Sequence, residues 1–320
     1  MRKKNILVVG GAGYVGGSVT DELLQRKEKY NVRVYDNLLY EESYRKSVDF
    51  VFGDILDRKL LKKHLMWADS IIWLAAIVGD GACKWDEVLT KKVNQDSVAW
   101  LAENFNGRIV FTSTCSVYGA QNNLILDEES LLSPLSLYAY TKREAEKILK
   151  DKNAIIFRLG TLFGISDNYA RIRLDLVLNL LTARAYGSNK IDVFGGNQYR
   201  PLLHVRDAAL SLVKALEYPY QRKAMIFNIN KCNIKIFDLA ERIKKHLPKT
   251  KIKKTNMSFK DTRNYKVTCE KAKKMLKFNP KYDIDFGIKQ IIEILKSQRI
   301  KNFNNPRYSN QLFLKDMLNK

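Results

Sequence analysis

The stretch that decides the fold is residues 5–16, NILVVGGAGYVG, in which a short apolar run leads into a cluster of glycines. The apolar residues 5–9 predict a buried strand, and the pattern of residues 16–26 predicts a helix after the glycines. Glycines at this junction allow a tight turn and let the backbone approach a pyrophosphate, whose charge is stabilised at the helix N-terminus. The stretch therefore predicts the first strand–turn–helix unit of a dinucleotide-binding domain.

An acidic residue follows this unit at the distance typical of the dinucleotide fingerprint. Asp36 comes directly after the second predicted strand, residues 31–35, and about 20 residues after Gly16. Its carboxylate can accept hydrogen bonds from the 2′- and 3′-hydroxyls of a ribose and would repel a 2′-phosphate. The pattern therefore predicts NAD, rather than NADP, as the cofactor.

Beyond this unit, apolar runs alternate with helical patterns through the first half of the chain. Further strands are predicted at residues 48–52, 70–74, 108–112 and 154–158, and helices from about residue 59 and at residues 85–105 and 138–151. This alternation is typical of βαβ units, so we expect an α/β fold with a doubly wound parallel sheet.

The alternation breaks after residue 164, and this break divides the chain into two predicted domains. Residues 1–165 and 203–230 are expected to form the NAD-binding Rossmann domain. Residues 166–202 and 231–320 are expected to form a smaller, mostly helical substrate-binding domain, with a helix at 174–186 and a strand at 191–194. Because no long low-complexity linker separates the two parts, we expect them to pack around a cleft.

Composition and charge narrow the classes of protein that the chain can represent. Its 320 residues include 56 Lys and Arg against 34 Asp and Glu, a net charge of +22. Such charge suggests nucleic-acid binding, but it is spread over the whole chain, so we expect solvated faces and no nucleic-acid partner. No apolar run reaches the roughly 18 residues of a membrane span, and no signal-peptide cleavage site follows the basic start. We therefore expect a cytoplasmic protein. The four cysteines lack a C-x-x-C spacing, so no metal site is predicted.

A tyrosine and a lysine four residues apart lie at the start of the predicted helix 138–151. At this spacing Tyr138 and Lys142 share one helix face, and a nearby ammonium favours the phenolate, so Tyr138 is a candidate base. The hydroxyl-rich run TSTCSVYG at residues 112–119 ends the preceding strand. Because ligands bind at the carboxyl ends of parallel strands, these side chains are predicted to share a site.

Together these motifs resemble the extended short-chain dehydrogenase/reductase family of nucleotide-sugar enzymes, nearly from end to end. The resemblance also rests on GDI at 53–55, LAA at 74–76, Asn94, VYG at 117–119, RPLLHVRD at 200–207 and DTRNY at 261–265. It implies a Rossmann fold, NAD as the cofactor and a nucleotide sugar as the substrate.

The resemblance also implies roles for individual residues. Tyr138 is implied as the base, Lys142 as a ligand of the nicotinamide ribose and Thr114 as a proton relay. The other implied cofactor contacts are Gly10, Gly13, Tyr14, Val15, Gly16, Asp36, Asn37, Asp54, Ile55, Leu74, Ala75, Ala76 and Asn94. The implied substrate contacts are Thr114, Val78, Asn179, Arg200 and Arg263, and the two arginines are expected to clasp the diphosphate.

Departures from the patterns of family subgroups narrow the reaction. The 4,6-dehydratases carry Asp-Glu after this threonine and decarboxylating members keep the Glu, whereas this chain has Cys115 and Ser116. Dehydration and decarboxylation are therefore disfavoured, and two alternatives remain: oxidation of one sugar carbon, or 4-epimerisation through a keto intermediate. A catalytically silent NAD sensor or nucleic-acid-binding protein is disfavoured by the intact Tyr138, Lys142 and Thr114.

The substrate and the oligomeric state are inferred from further resemblances. Residues 75–83, 195–201 and 308–310 look like those of a subgroup acting on capsular and surface-polysaccharide sugars. This implies oxidation at C4, with a GDP-heptose as the favoured substrate. The predicted helices 85–105 and 138–151 resemble the pair that forms a dimer interface in this family, so we expect a homodimer.

Overall fold

The computed structural model describes residues 2–169, 171–255 and 263–318, and its centre is a seven-stranded sheet with the order β11-β7-β5-β4-β1-β2-β3. Every pairing within this sheet is parallel. The strands are β1 Lys4–Val9, β2 Tyr30–Asp36, β3 Asp49–Phe52, β4 Ser70–Trp73, β5 Arg108–Thr114, β6 Ala120–Leu126, β7 Ala154–Leu159, β8 Thr161–Phe163, β9 Lys190–Phe194, β10 Tyr199–His204, β11 Met225–Ile229, β12 Cys232–Lys235, β13 Lys251–Thr255 and β14 Asn264–Val267.

Helices connect the strands of the sheet and form much of the second half of the chain. They are α1 Tyr14–Leu24, α2 Arg58–Trp67, α3 Asp80–Cys83, α4 Glu87–Lys91, α5 Ser97–Asn104, α6 Leu137–Ile148, α7 Val177–Ser188, α8 Val205–Lys214, α9 Ile236–His246, α10 Glu270–Leu276, α11 Ile284–Lys296 and α12 Asn310–Leu318. A π-helical turn, Lys92–Asp96, joins α4 to α5. Among the described residues, no helix has both the length and the apolarity needed to cross a bilayer.

The two faces of the sheet are covered by different helices. Along β1, Ile6 and Val8 pack in one apolar cluster with residues of α1 and α8. Leu7 and Val9 pack in a second cluster with residues of α2, α5 and α6. This period-two alternation between two buried faces is what a doubly wound sheet requires, and the predicted fold class is confirmed.

The second half of the chain contains more strands than its sequence pattern predicts. Strands β12, β10 and β8 form a three-stranded sheet, while β13 pairs with β9 and β14 with β6. Helices α7, α9 and α11 share one apolar cluster with the three-stranded sheet and with the β9–β13 pair. Strands as short as the three residues of β8 show too little alternation to be detected from sequence.

Two helices begin later than predicted, one because of a local cap and the other because of a contact with a distant part of the chain. The helix predicted from residue 85 begins at Glu87, because the Asp86 side chain accepts the Leu89 N–H at 2.8 Å and caps the helix. The helix predicted from residue 174 begins at Val177, because the Leu174 N–H donates to the Tyr308 carbonyl at 2.9 Å.

Candidate active site

The turn between β1 and α1 has two glycines that the protein's own packing requires. Gly10 has a φ of +81°, and a Cβ there would lie 2.5 Å from the backbone nitrogen of Ala75. A Cβ on Gly16 would lie 2.4 Å from the Gly11 carbonyl oxygen. Gly13 differs, since a Cβ there would come no nearer than 3.5 Å to any neighbouring atom. Packing within the protein therefore does not require glycine at position 13. The absence of a side chain there leaves an open space, here called the cradle, at the N-terminus of α1.

The N-terminus of α1 is suited to an anion. Gly13 is its N-cap and provides no side-chain hydrogen bond, and the first turn carries no acidic residue. The N–H groups of that turn and the helix dipole favour a negative charge placed in the cradle. Tyr14 points away from the cradle, with its hydroxyl donating to the Gly164 carbonyl at 2.8 Å, and Val15 packs on the core. The cradle fits the pyrophosphate of NAD.

The end of β2 carries the predicted ribose ligand. The two carboxylate oxygens of Asp36 accept backbone N–H groups at 2.9 and 2.8 Å, one of them from Ala12 in the glycine turn. Burial raises the pKa of this carboxyl. Each oxygen keeps acceptor capacity for a hydroxyl. Beside it, the Asn37 amide donates to the Asp54 carboxylate at 2.8 Å, and Ile55 is half-buried, so the predicted adenosine residues lie together.

The loop after β4 is held in place by Asn94. This buried side chain lies in the π-helical turn, where its Oδ1 accepts the Ile77 N–H at 2.8 Å and its Nδ2 donates to the Ile77 carbonyl at 2.9 Å. The N–H groups of Leu74 and Ala75 bond to the last residue of β1 at 2.8 and 3.0 Å. Asn94 thereby positions the backbone that follows β4, including Ala76.

The three predicted catalytic residues lie on β5 and α6. Thr114 ends β5, is buried, and its Oγ1 accepts the Ser116 N–H at 3.1 Å. Lys142 is buried on α6, where its Nζ donates to the Thr112 carbonyl at 2.9 Å. Tyr138, one turn earlier on α6, packs against the apolar cluster formed by the loop after β4 and by α12. The carboxyl end of β5 and the start of α6 are thus brought together, as the sequence predicts.

Burial is the largest influence on the charge states of this site. It raises the pKa of Tyr138 well above its ordinary value, so the expected preference for the phenolate is not found in this structure, and it lowers the pKa of Lys142 to about 8. The Arg173 guanidinium lowers the pKa of Tyr138, whereas the Asp80 carboxylate raises it. Arg173 and Asp80 therefore act on the candidate base, and neither was predicted from the sequence as a site residue.

A buried ion pair fixes the position of α6. Glu146, one turn after Lys142, bonds to Arg158 on β7 with an N–O distance of 2.7 Å, and both side chains are less than 5% exposed. The Ser113 hydroxyl also bonds to Glu146. These contacts join α6 to the carboxyl ends of β5 and β7, and so determine where the helix presents its earlier turns.

The predicted substrate contact Asn179 is fully buried on α7. Its Oδ1 accepts the Gly164 N–H at 2.9 Å and its Nδ2 donates to the Arg173 carbonyl at 2.8 Å. Arg173 in turn donates to both oxygens of Asp175, at 3.0 and 2.9 Å. In this structure Asn179 therefore orients the segment that carries Arg173.

The two predicted diphosphate-binding arginines are neighbours. Arg200 is buried, and its guanidinium donates to the carbonyl of Arg263. The Arg263 side chain forms an ion pair with Asp80, with an N–O distance of 3.1 Å. Asp261 and Thr262, which belong to the same sequence motif, lie outside the described residues.

Helix α12 closes one side of the site, a feature that the sequence analysis missed. At its start, the Asn310 N–H donates to Asp175 at 2.9 Å and its Nδ2 donates to the Val78 carbonyl at 3.0 Å. The Arg171 guanidinium donates to the Asn310 Oδ1, and Leu314 packs in the cluster that includes Tyr138. Two sequence signals point to this assembly: the charged run RIRLD at residues 171–175 and the subgroup resemblance of residues 308–310.

Comparisons with known proteins give a matching family model, relatives and similar solved structures. The model of the NAD dependent epimerase/dehydratase family matches residues 6–230. A UDP-glucose 4-epimerase of Rhizobium meliloti is 27% identical, covering 89% of this chain and 94% of the relative. UDP-glucuronic acid decarboxylase 6 of Arabidopsis thaliana is 26% identical, covering 88% and 86%. The solved UDP-glucose 4-epimerase of Thermotoga maritima with UDP-glucose has a TM-score of 0.80 at 22% identity, covering 92% and 99%, and shares the fold.

Proposed function

The chain belongs to the NAD-dependent epimerase/dehydratase family, and on that premise we propose that it oxidises C4 of a nucleotide-activated sugar. Its cofactor is NAD. The observation that carries the proposal is the placement of Thr114 and Tyr138 at the carboxyl edge of the sheet, beside a serine at position 116. This arrangement supplies a hydroxyl relay and a base without the carboxylic acid that elimination would need.

The proposed reaction assigns one task to each catalytic side chain. NAD, when bound, supplies the acceptor for the hydride that leaves the sugar carbon. Tyr138 takes the proton of the C4 hydroxyl. The Thr114 hydroxyl relays this proton by hydrogen bonding to the sugar hydroxyl and to the Tyr138 phenol. Lys142 binds the nicotinamide ribose. Arg173 adds positive charge near Tyr138, because it lowers the pKa of that phenol.

Ser116 argues against dehydration and decarboxylation, and leaves oxidation and 4-epimerisation open. Its hydroxyl lies 3.2 Å from the phenol oxygen of Tyr265, and both residues are buried. Neither group is a carboxylic acid that could protonate a departing hydroxyl at neutral pH. Without an acid and a base of the kind that dehydration of a sugar requires beside Thr114, the keto product is expected to keep its carbon skeleton and every hydroxyl except the one oxidised at C4.

We infer a GDP-heptose as the substrate from the subgroup resemblance of residues 75–83, 195–201 and 308–310. The nearest activity that this resemblance suggests is that of a GDP-D-glycero-α-D-manno-heptose 4-dehydrogenase, acting in the cytoplasm in the biosynthesis of capsule or surface-polysaccharide sugars. Arg200 and Arg263 are proposed to bind the diphosphate, a role suited to their planar guanidinium groups. Asn179 orients the segment that carries Arg173, because its amide donates to the Arg173 carbonyl.

We propose that residues 1–165 and 203–230 bind NAD and that residues 166–202 and 231–320 bind the sugar nucleotide.

We also propose that two chains form a dimer. Apolar side chains on α4 and α6 support the dimer, since Val88, Leu89 and Tyr140 are 65%, 38% and 41% exposed. A second copy of these helices would cover them. Light scattering at micromolar concentration tests this, and a monomeric mass would contradict it.

A substrate panel tests the proposed reaction. Purified protein is incubated with NAD and GDP-, UDP-, dTDP- and CDP-sugars, including a GDP-heptose. Absorbance near 340 nm follows reduced cofactor, and mass spectrometry follows the sugar nucleotide. Loss of about two daltons together with reduced cofactor supports a dehydrogenase, whereas no change with any sugar nucleotide contradicts the proposal.

The second candidate is an NAD-dependent nucleotide-sugar 4-epimerase. It is favoured by the similarity, over 89% of this chain, to a protein named as a UDP-glucose 4-epimerase. An epimerase would use the same Tyr138 and Thr114 but return the hydride to the opposite face of the sugar. In the panel it would give a new isomer of unchanged mass with no net reduced cofactor.

A further inference from the structure

Asp80 places a buried oxygen without a hydrogen-bond partner at the edge of the candidate site. Its Oδ2 pairs with the Arg263 guanidinium at 3.1 Å. Its Oδ1 is buried and has no hydrogen-bond partner among the residues that the structure describes. An unsatisfied buried acceptor costs about 1–3 kcal/mol, so a ligand that donates a hydrogen bond to this oxygen would regain that free energy.

The backbone fixes where this carboxylate lies. Asp80 follows Gly79, whose φ of +105° favours glycine, and it is the first residue of the four-residue helix α3. Cys83, at the other end of α3, is buried in the cluster that Tyr138 packs against. The charge of Asp80 also raises the pKa of Tyr138. The Asp80 carboxylate therefore lies about one helical turn from the cluster that Tyr138 packs against.

We propose that Asp80 is a specificity-determining residue, whose Oδ1 accepts a hydrogen bond from a hydroxyl of the sugar and thereby selects nucleotide sugars with a neutral sugar over nucleotide uronates. This inference rests on the proposed function, because it concerns the sugar that Tyr138 would oxidise. It adds a class of substrate to that function: hexoses or heptoses with hydroxyls along the sugar, and no carboxylate.

The selectivity follows from the chemistry of an ionised carboxylate. Such a group only accepts hydrogen bonds, so it binds a hydroxyl and offers nothing to a second carboxylate. Two like charges a few ångströms apart also repel, although the Arg263 guanidinium offsets part of the charge of Asp80. A substrate without the matching hydroxyl would also leave Oδ1 without a hydrogen bond. The binding free energy lost in this way disfavours that substrate.

Arg263 contributes to the site without taking the free oxygen of Asp80. Its guanidinium neutralises the carboxylate through Oδ2 alone, and its backbone carbonyl is held by Arg200. If a diphosphate draws the Arg263 side chain away, Asp80 has both oxygens available for sugar hydroxyls. In either arrangement a carboxylate acceptor faces the sugar.

Two matched pairs of ligands test the proposal on the NAD-loaded protein. GDP-mannose is compared with GDP-mannuronate, and UDP-glucose with UDP-glucuronate, by isothermal titration calorimetry. In whichever pair binds, we expect the neutral sugar to bind at least about tenfold more tightly than the uronate. Asp80→Asn keeps the shape and one acceptor but removes the charge, so it should reduce this ratio to about threefold or less.

The matched control is Glu87→Gln, which removes an exposed carboxylate at the start of α4 and should leave the ratio unchanged. NAD titration of each variant reports whether the fold is intact. Equal affinities for the two members of a pair, or a preference that Asp80→Asn leaves intact, would overturn the role of Asp80 while the proposed function stands. Failure of both pairs to bind a protein that still binds NAD would overturn this role, whereas the proposed function would be overturned by the substrate panel, which includes a GDP-heptose, if no sugar nucleotide were oxidised.

Discussion

At the scale of single residues, the phenol of Tyr138 carries the proposed proton transfer. Replacing it in Tyr138→Phe removes one oxygen and keeps the ring that packs against the loop after β4. We expect kcat to fall by about 10²- to 10⁴-fold, because no other described group takes the proton, while NAD affinity changes little. Turnover assays and NAD titration measure the two effects.

The control for this substitution lies two residues further along the same helix. Tyr140 is 41% exposed and its ring stacks with the Arg143 guanidinium at the surface. Tyr140→Phe removes the same oxygen from α6 and should keep turnover close to that of the wild type. If Tyr138→Phe retained comparable turnover, Tyr138 would not be the base.

Asp36 determines the proposed preference for NAD. In Asp36→Ala the ribose hydroxyls lose a charged acceptor, which is worth about 1.5–3 kcal/mol, and a 2′-phosphate is no longer repelled. We expect NAD affinity to fall at least about tenfold and NADP affinity to fall less or to rise, as measured by fluorescence titration. Glu28→Ala, which removes an exposed acid between α1 and β2, is the control. An unchanged ratio of the two affinities would show that Asp36 does not select the cofactor.

The buried ammonium of Lys142 should make stability depend on pH. Burial lowers its pKa from 10.5 to about 8, so between these values the unfolded chain binds a proton that the native protein lacks. The free energy of unfolding therefore rises with pH over this window. In cofactor-free protein, wild type should gain stability relative to Lys142→Met between about pH 7.5 and 9.5.

Denaturant unfolding at the two pH values measures this gain, and the difference from the variant cancels groups that both proteins share. Lys147→Met is the control, because Lys147 lies on the same helix with a side chain 61% exposed. It should reproduce the pH dependence of the wild type. If Lys142→Met also reproduced it, the ammonium would not be perturbed in the folded protein.

At the scale of elements, α6 depends on one buried ion pair. In Glu146→Gln the Arg158 guanidinium keeps its buried place but loses its counter-charge, which we expect to cost about 3–5 kcal/mol of stability. Glu144→Gln removes a carboxylate that pairs with Lys147 near the surface of the same helix, and should cost less than about 1 kcal/mol. Urea unfolding of both variants measures the contrast, and similar losses would contradict the anchoring role of Glu146.

Most strands of the central sheet in the first half of the chain could be predicted from sequence, because they are runs of apolar residues buried on both faces, as β4, β5 and β7 are. The strand predicted at residues 5–9 is observed as Lys4–Val9, and that predicted at 154–158 as Ala154–Leu159. In the second half, strands such as β12, Cys232–Lys235, are short and only half-buried. Their pairing depends on partners distant in sequence, which no local pattern encodes.

At the scale of the whole molecule, the site combines segments far apart in the chain. The motif residues Tyr138, Lys142 and Thr114 could be identified from the sequence. The four-residue spacing of the tyrosine and the lysine places them on one helix face, and the threonine lies in the hydroxyl-rich run at the end of a predicted strand. The resemblance singled out residues 308–310, but the contacts of Asn310 with Asp175 and Val78 could not be predicted, because they join segments separated by more than a hundred residues. The role proposed for Asp80 likewise could not be predicted, because it depends on the ion pair with Arg263, which forms only in the folded chain.

The most direct test of the proposed oxidation follows the hydrogen on C4. The sugar nucleotide that turns over is prepared with deuterium at C4, and its product is weighed by mass spectrometry. We predict a product lighter by about three daltons, with the deuterium recovered in the reduced cofactor, because the deuteride and the hydroxyl proton both leave the sugar. A product of unchanged mass that retains deuterium at C4 would contradict oxidation and identify an epimerase.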